Sequence, residues 1–162
     1  MTGKLREHII YDNRGFIKDR LYFNEDNKLQ GACEFYSHGK LHMRADFDNG
    51  VQHGQATYFN ASGRVSAEKN FIHGYAHGES KHFDELGFLR RVETYEKGQM
   101  HGPFKTYYQN GEIQQEGTYR EHKKVGSWNH YNDEGDLIQS GTYDDRGMLT
   151  EPFILYTGDE EN

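Results

Sequence analysis

The sequence from Gly102 to Gly126 reads GPFKTYYQNGEIQQEGTYREHKKVG, two strand-like runs on either side of an Asn-Gly step. Asn110-Gly111 between such runs favours a β-hairpin, because both residues tolerate a positive φ. No apolar stripe with a period of 3.6 residues continues through the stretch, so a helix is not expected. The stretch therefore predicts two antiparallel strands joined by a tight turn.

The same pattern returns every 24 residues along almost the whole chain. The turn glycine is repeated at Gly15, Gly39, Gly63, Gly87, Gly111 and Gly135. An aromatic residue stands four positions before each glycine, at Tyr11, Phe35, Phe59, Phe83, Tyr107 and Tyr131. An aliphatic residue stands two positions after it, at Ile17, Leu41, Val65, Leu89, Ile113 and Leu137. A second aromatic residue stands eight positions after it, at Phe23, Phe47, Phe71, Tyr95, Tyr119 and Tyr143. This periodicity predicts an all-β fold, a tandem array of six 24-residue β-hairpin repeats forming an elongated, twisted antiparallel meander sheet.

A second turn is expected between successive hairpins, at Gly50, Gly74 and Gly98, with His122 in the next glycine position. We expect a single domain over residues 1–162, because the period leaves no room for a boundary. Capping strands are predicted near 4–12 and 152–157, with Leu155 on the first aromatic column one period after Tyr131. Residues 158–162 are expected to form an acidic tail.

The composition favours a binding surface over a site for catalysis. Hydrophobic residues make up 33% of the chain and the mean hydropathy is -1.06, which suits a thin sheet better than a globule with a deep core. The net charge is -7, and the densest basic steps are Arg90-Arg91 and Lys123-Lys124, so direct nucleic-acid binding is not expected. An acidic surface would suit a basic protein partner.

No cofactor, metal site or catalytic residue is predicted. Cys33 is the only cysteine, which leaves no disulfide or thiolate metal cluster. His53, His77 and His101 recur with the period, but two hairpins separate the outer two by roughly 19 Å, too far to share one ion. A nucleophile elbow and a phosphate loop are also missing, so we expect a non-enzymatic protein. The N-terminus lacks a signal-peptide stretch and no segment reaches transmembrane length, so the chain is expected to be cytoplasmic.

The repeated pattern, aromatic-x-x-x-Gly-x-aliphatic followed by aromatic-x-x-Gly-x-x-His-Gly, resembles MORN repeats. It is most similar to the MORN-variant repeat of the bacterial YwqK-family antitoxins. The residues that carry the resemblance run from Phe35 to Gly54, Phe59 to Gly78 and Phe83 to Gly102. Gly31 departs from the pattern by one position, and Val125-Gly126 replaces the fourth His-Gly step. The resemblance implies a β-hairpin array and an antidote or immunity protein for a toxin, whereas eukaryotic MORN modules are linked to protein scaffolding and to lipid.

Aromatic residues outside the repeated columns are candidates for partner binding. They occupy even positions in the first strand of each hairpin, so simple alternation predicts that they face away from the column aromatics. Tyr and Trp dominate interface hot spots, but these residues would equally serve packing or a homodimer through the sheet edges. The candidates are Tyr36, Tyr58, Phe104, Tyr108 and Trp128.

The sequence therefore predicts an antitoxin or immunity protein that binds a cognate toxin, with a nuclease or a deaminase as one kind of target. The alternative is a structural scaffold or adaptor of the MORN type. Within this alternative, protein scaffolding is expected more than lipid association, because lipid binding would favour a basic face.

Overall fold

The computed structural model describes residues 4–156 and consists of β-strands and turns. The strands are β1 (Arg6–Tyr11), β2 (Ile17–Phe23), β3 (Gly31–Ser37), β4 (Lys40–Asp48), β5 (Val51–Phe59), β6 (Val65–Ile72), β7 (Tyr75–Ala76), β8 (Gly78–Phe83), β9 (Leu89–Glu96), β10 (Gln99–Tyr107), β11 (Ile113–Arg120), β12 (Lys123–Tyr131), β13 (Leu137–Tyr143) and β14 (Ile154–Leu155). They form one 14-stranded sheet in which consecutive strands pair antiparallel, except that β6 pairs with β8 and the short β7 pairs only with β6. The predicted all-β meander of hairpins is confirmed.

Each hairpin contains a β-bulge beside its first turn. In the hairpin of β10 and β11, Thr106 pairs with Gln115 but Tyr107 pairs with Ile113, so Gln114 is the extra residue. The bulge brings an aromatic residue opposite the aliphatic column in every repeat, and this residue belongs to the first aromatic column except in the second hairpin, where it is Tyr36. The pairs are Tyr11 with Ile17, Tyr36 with Leu41, Phe59 with Val65, Phe83 with Leu89, Tyr107 with Ile113 and Tyr131 with Leu137.

The second turns lock each hairpin onto the preceding one. Asn49 and Gly50 both have positive φ, 50° and 86°, and the turns at Gly74 and Gly98 repeat this geometry. Such two-residue turns match the twist of the strands that they join. The N–H of Gly74 donates to the carbonyl of Gln52 at 2.8 Å, and the N–H of Gly98 donates to Ala76 at 2.8 Å. His122 takes the glycine position with a φ of 65°, so the turn survives without glycine.

The His-Gly steps lie at a second, wider irregularity between hairpins. Glu93 pairs with Phe104 and Tyr95 with Met100, so three residues of β10 stand opposite Thr94. Gly102 has a φ of 114°, and the side chain of Thr94 fills the space beside it. A Cβ at Gly102 would lie 3.2 Å from the Thr94 Cβ, which explains the glycine by both conformation and space.

Several of the most buried side chains lie in one row that crosses the sheet. Register pairs connect Cys33 to Ala45 and Ala45 to Ala56, and all three are fully buried. Further along the sheet, Ser80 pairs with Glu93 and Glu93 with Phe104. Small side chains in the row leave room for larger neighbours to cover them, so a single-layered sheet obtains a core on one face.

The two aromatic columns lie on opposite faces of the sheet, which corrects the expectation from simple alternation. Phe104 and Tyr107 are three positions apart in β10 and therefore face opposite ways. The Phe104 ring lies 5.4 Å from Tyr119 of the second column, so Tyr107 of the first column is on the other side. The bulge residue of each hairpin changes the parity between the two columns. We call the side of Phe104 and Tyr119 the tryptophan face and the side of Tyr107 the tyrosine face.

One-residue displacements explain two further departures from the sequence prediction. Gly31 pairs with Phe47 as Gly54 pairs with Phe71, so Tyr36 takes the place that the period assigns to Phe35. At the other end Leu155 pairs with Gln139, and the Tyr156 hydroxyl lies 3.1 Å from Ser140 Oγ. The Tyr131 hydroxyl contacts Glu116, one period before Ser140, so Tyr156 and not Leu155 continues the aromatic column.

The predicted terminal strands are present but shorter than expected. The first one spans Arg6–Tyr11 and the last one Ile154–Leu155. Residue 157 and the predicted acidic tail at 158–162 lie outside the described residues.

Candidate binding surface

Trp128 is the centre of an aromatic cluster on the tryptophan face. Its ring centroid lies 5.0 Å from Tyr119, 5.5 Å from Phe104 and 6.4 Å from Tyr143. The indole Nε1–H donates to the Thr118 carbonyl at 3.2 Å, and the residue is 0% exposed. Since edge-to-face aromatic pairs add to burial, the cluster stabilises the repeats that it joins.

Two glycines without side chains leave the space that the indole ring of Trp128 occupies. Trp128 pairs with Gly141, and on its other side a Cβ at Gly117 would lie 2.2 Å from the ring. The Lys124 ammonium lies 4.1 Å above the indole centroid and 5.5 Å from that of Tyr143. Burial lowers the pKa of Lys124, and burial together with the nearby Lys124 lowers the pKa of His130.

The predicted partner-binding residues do not share one face. Phe104 and Trp128 contact Tyr119, so the prediction that they face away from the column aromatics is wrong for the second column and holds only for the first. The bulges change the alternation that the prediction assumed. Trp128 has no exposed surface with which to contact a partner, which assigns it to the core.

The other three candidates are half-buried and lie at separate places. The Tyr36 hydroxyl donates to Glu34 Oε2 at 2.8 Å. Tyr58 pairs with Met43 and Ala67, and its ring lies 5.8 Å from the Lys69 ammonium. The Tyr108 hydroxyl donates to the Tyr131 carbonyl at 2.9 Å, which joins two hairpins. A partner contact at these residues stays a prediction.

A buried carboxylate on the tryptophan face holds a polar cluster that sequence reasoning missed. Glu93 is 4% exposed, and its Oε1 accepts hydrogen bonds from His82 Nε2 and the Tyr95 hydroxyl, both at 3.0 Å. Arg91 Nε lies 3.2 Å from the other oxygen. Burial favours the neutral acid, but these donors outweigh it and lower the pKa of Glu93. Burial and the bond to Glu93 raise the pKa of Tyr95 to about 12.

The tyrosine face carries a second polar cluster. The Tyr131 hydroxyl donates to Glu116 Oε1 at 2.8 Å, and Lys105 Nζ lies 3.3 Å from Glu116 Oε2. The bond from Tyr131 lowers the pKa of Glu116, while burial and the same bond raise the pKa of Tyr131. These groups are paired with each other, so the cluster connects strands and offers little free charge.

Charged side chains are exposed in the first turns, whereas those of the two polar clusters on the faces are paired with each other. Asn132 shows how they are built, since its Oδ1 accepts from the N–H groups of Glu134 and Asp136 at 3.1 and 2.8 Å. Asp12, Asn60 and Asp84 make the same bonds in their own turns. An Asp or Asn three positions before the turn glycine was visible in the sequence as a further column, broken only at positions 36 and 108.

Charge is distributed unevenly along these turns. The turns at 84–88, 108–112 and 132–136, which we call the acidic tips, contain no lysine or arginine. Their carboxylates are Asp84, Glu85, Glu112, Asp133, Glu134 and Asp136. The three earlier turns contain Arg14, Lys40 and Arg64 instead. Leu86 and Phe88, exposed at 60% and 48%, stand within the first acidic tip, so this edge combines negative charge with apolar surface.

The periodic histidines lie in or beside the wide irregularities between hairpins. The His73 N–H approaches His53 Nδ1 at 3.5 Å, and His101 Nε2 lies 3.9 Å from Glu96. Among residues 4–156 no group of three or more His, Cys, Asp or Glu side chains is placed to hold a metal ion. The same residues contain no helix that is long and apolar enough to cross a membrane.

A comparison with protein families identifies one hairpin of this sheet. Residues 100–121, which include all but the first residue of β10 and the whole of β11, match the family model described as a MORN repeat variant. The chain carries a MORN-variant repeat. Because the match covers one complete hairpin, the 24-residue period extends the same architecture to the other hairpins of the sheet.

The other comparisons do not refine this result. No curated protein matches the chain. Among solved structures, the chain is similar to the S. aureus TarM mutant in complex with fondaparinux, alpha-GlcNAc-glycerol and UDP, at 13% sequence identity and a TM-score of 0.26. The match covers 74% of this chain and 21% of that one, so the chain spans about a fifth of the length of TarM, and the low TM-score gives it no weight for fold or function.

Proposed function

We propose that this MORN-variant protein is a non-enzymatic binding module that acts as an antitoxin or immunity protein, neutralising a cognate toxin by direct contact. The observation that carries the proposal is the edge formed by the acidic tips, where carboxylates stand beside exposed Leu86 and Phe88. Charge of one sign steers a partner of the opposite sign, and an apolar patch inside it supplies the contact area. The resemblance to YwqK-family antitoxins that the sequence pattern indicates is in line with the same function.

The proposed partner is a basic protein, and a nuclease or a deaminase is the kind of toxin that fits. Such enzymes bind polyanionic nucleic acid, so a row of carboxylates would occupy the surface that their substrate needs. The acidic tips suit this purpose because the Glu85, Asp133 and Glu134 carboxylates make no hydrogen bond or ion pair among the described residues. These groups are free to pair with lysines and arginines of the toxin.

The test expresses the open reading frame beside this gene, alone and together with this chain, and measures growth and co-purification. Death of the cells with the neighbour alone, rescue by co-expression and a recovered complex support the proposal. A harmless neighbour that does not co-purify contradicts it.

A pair of charge-reversed variants tests the surface itself. E85K/E134K reverses two charges on the acidic tips, and E25K/D26K reverses two charges in an exposed turn at the opposite edge of the sheet. Both change the net charge equally. We expect the tip variant to weaken the complex at least tenfold, mainly through slower association, and to reduce its salt dependence. Equal affinities of the two variants would remove the acidic tips from the interface.

A scaffold or adaptor protein is the second candidate, and the MORN-variant match itself favours it, because such repeats suggest a binding or scaffold module. A scaffold would bind several partners, and cells would survive its loss. Survival after deletion, together with several co-purified proteins, would therefore select the scaffold over the antitoxin.

A further inference from the structure

The last strand of the sheet is the first half of a hairpin. Tyr156 occupies the position of Tyr131, since both hydroxyls reach the equivalent residue of the preceding strand, Ser140 and Glu116. In each complete hairpin the aromatic residue at this position pairs with an aliphatic residue across the first turn, as Tyr131 pairs with Leu137. No strand lies beyond β14 among residues 4–156, so Tyr156 has no such partner in the described sheet.

The surface at this edge is apolar, and no other segment of residues 4–156 pairs with it. Ile154, Leu155 and Tyr156 are 56%, 72% and 43% exposed, and Leu155 has the highest value among the large hydrophobic residues of the described chain. Sheet edges are normally guarded by charges, proline or a covering segment. The opposite edge strand, β1, begins with Arg6 and Glu7, which gives it the charged protection that β14 lacks.

The backbone of β14 is also available for pairing. The Tyr156 N–H donates inward to the Ile138 carbonyl at 2.9 Å. Because N–H groups alternate in direction along an antiparallel strand, the Leu155 N–H faces outward, away from β13. An added strand would thus find a donor and an apolar row at the same place.

At this edge of the described sheet we propose that β14 is a docking site for an extended segment of a partner protein, which adds as an antiparallel strand and places an aliphatic side chain opposite Tyr156. The segment resembles the second strand of a hairpin in this chain, because β14 has the same register as the first strand of such a hairpin. Strand addition of this kind takes affinity from main-chain bonds and specificity from alternate side chains. The assignment rests on the proposed protein-binding function and names a surface separate from the acidic tips.

The test uses a fluorescein-labelled peptide with the sequence of residues 136–144, DLIQSGTYD, which pairs with β12 inside the sheet. Saturable binding to the full chain is followed by fluorescence anisotropy. L155P removes the outward N–H without touching the inward bond of Tyr156, whereas L155V keeps the N–H and an apolar side chain. We expect L155P to weaken binding at least tenfold and L155V to change it less than threefold.

A peptide variant and an exchange measurement complete the design. Peptide L137K places a charge opposite Tyr156 and is expected to bind at least tenfold more weakly. In the wild-type chain, saturating peptide should slow hydrogen exchange at the Leu155 amide while leaving the Tyr131 amide unchanged, and this readout stands even if L155P is poorly folded.

Absence of peptide binding, or equal binding by L155P and L155V with no protection of Leu155, would overturn the proposal. Concentration-dependent dimerisation in sedimentation that L155P abolishes, without peptide binding, would assign the edge to a second copy of this chain and would also overturn it. The peptide assay does not involve the toxin. Failure of the peptide to bind therefore leaves the co-expression result unaffected, and failure of the co-expression test leaves the peptide result unaffected.

Discussion

The contact between Gly117 and Trp128 can be tested by a double-mutant cycle. Trp128 is fully buried, so W128A removes the largest side chain of the core and should cost about 3–5 kcal/mol of unfolding free energy. Gly117 has a negative φ, and a Cβ there would lie 2.2, 2.3 and 2.7 Å from three atoms of the indole. G117A alone should therefore cost about 1–3 kcal/mol through overpacking.

The two changes should not add. Once Trp128 is replaced by alanine, the methyl group at position 117 has room, so the double variant should be about as stable as W128A alone. The coupling free energy should then be about 1–3 kcal/mol, within the range seen for residues in direct contact. T118A serves as a control on the adjacent exposed residue, where replacement by alanine should change the free energy of unfolding by less than about 0.5 kcal/mol.

Urea unfolding followed by far-UV circular dichroism measures the four proteins of the cycle and the T118A control. Circular dichroism is required because Trp128 is the only tryptophan and W128A removes the fluorescent reporter. Additive free energies in the cycle, or a G117A variant as stable as the wild type, would refute the packing around Trp128. W128A that keeps wild-type stability would show that the residue is not part of the core.

Two further predictions concern the polar groups. The pKa of Glu93 is lowered in the folded state, so its contribution to stability is present above the unfolded pKa near 4.5 and is lost as the pH falls through the folded value. Urea midpoints between pH 7 and pH 3 should fall more steeply for the wild type than for E93Q, and parallel curves would contradict the cluster. N132A removes the acceptor of two turn N–H groups and should cost about 1 kcal/mol, whereas Q109A, in a neighbouring turn and without a hydrogen bond, should cost less than about 0.5 kcal/mol in thermal unfolding.

The sequence predicted the array because its periodic positions have a local cause. The turn glycine, such as Gly111, needs a positive φ, and Tyr107 and Ile113 meet across that turn. Both constraints act within one hairpin and repeat with it. The second turns were also predictable, and His122 with a φ of 65° shows that the position determines the conformation there even without glycine.

The faces of the sheet were not predictable by counting alternate residues. A bulge adds a residue whose position depends on the paired strand, so Gln114 changes the parity between Tyr107 and Tyr119 without any mark in the sequence. For the same reason the prediction placed Trp128 and Tyr119 on opposite faces, although the two rings are in contact. The Glu93 cluster escaped sequence analysis because His82 reaches the carboxylate only after β8 pairs with β9, whereas Tyr95 lies on the same strand as Glu93.

The displacement at Gly31 has a consequence for how such proteins change over time. The first turn of this hairpin has one residue fewer than the others, since five positions separate Tyr36 from Leu41 but six separate Phe59 from Val65. The connection before it has one residue more, since eight positions separate Phe23 from Gly31 but seven separate Phe47 from Gly54. The two changes cancel, so β3 presents Tyr36 instead of Phe35 on the tyrosine face while the other hairpins keep their register. A paired insertion and deletion in the turns on either side of a strand therefore changes the side chains that one strand presents, which gives such arrays a route to new binding surfaces alongside substitutions.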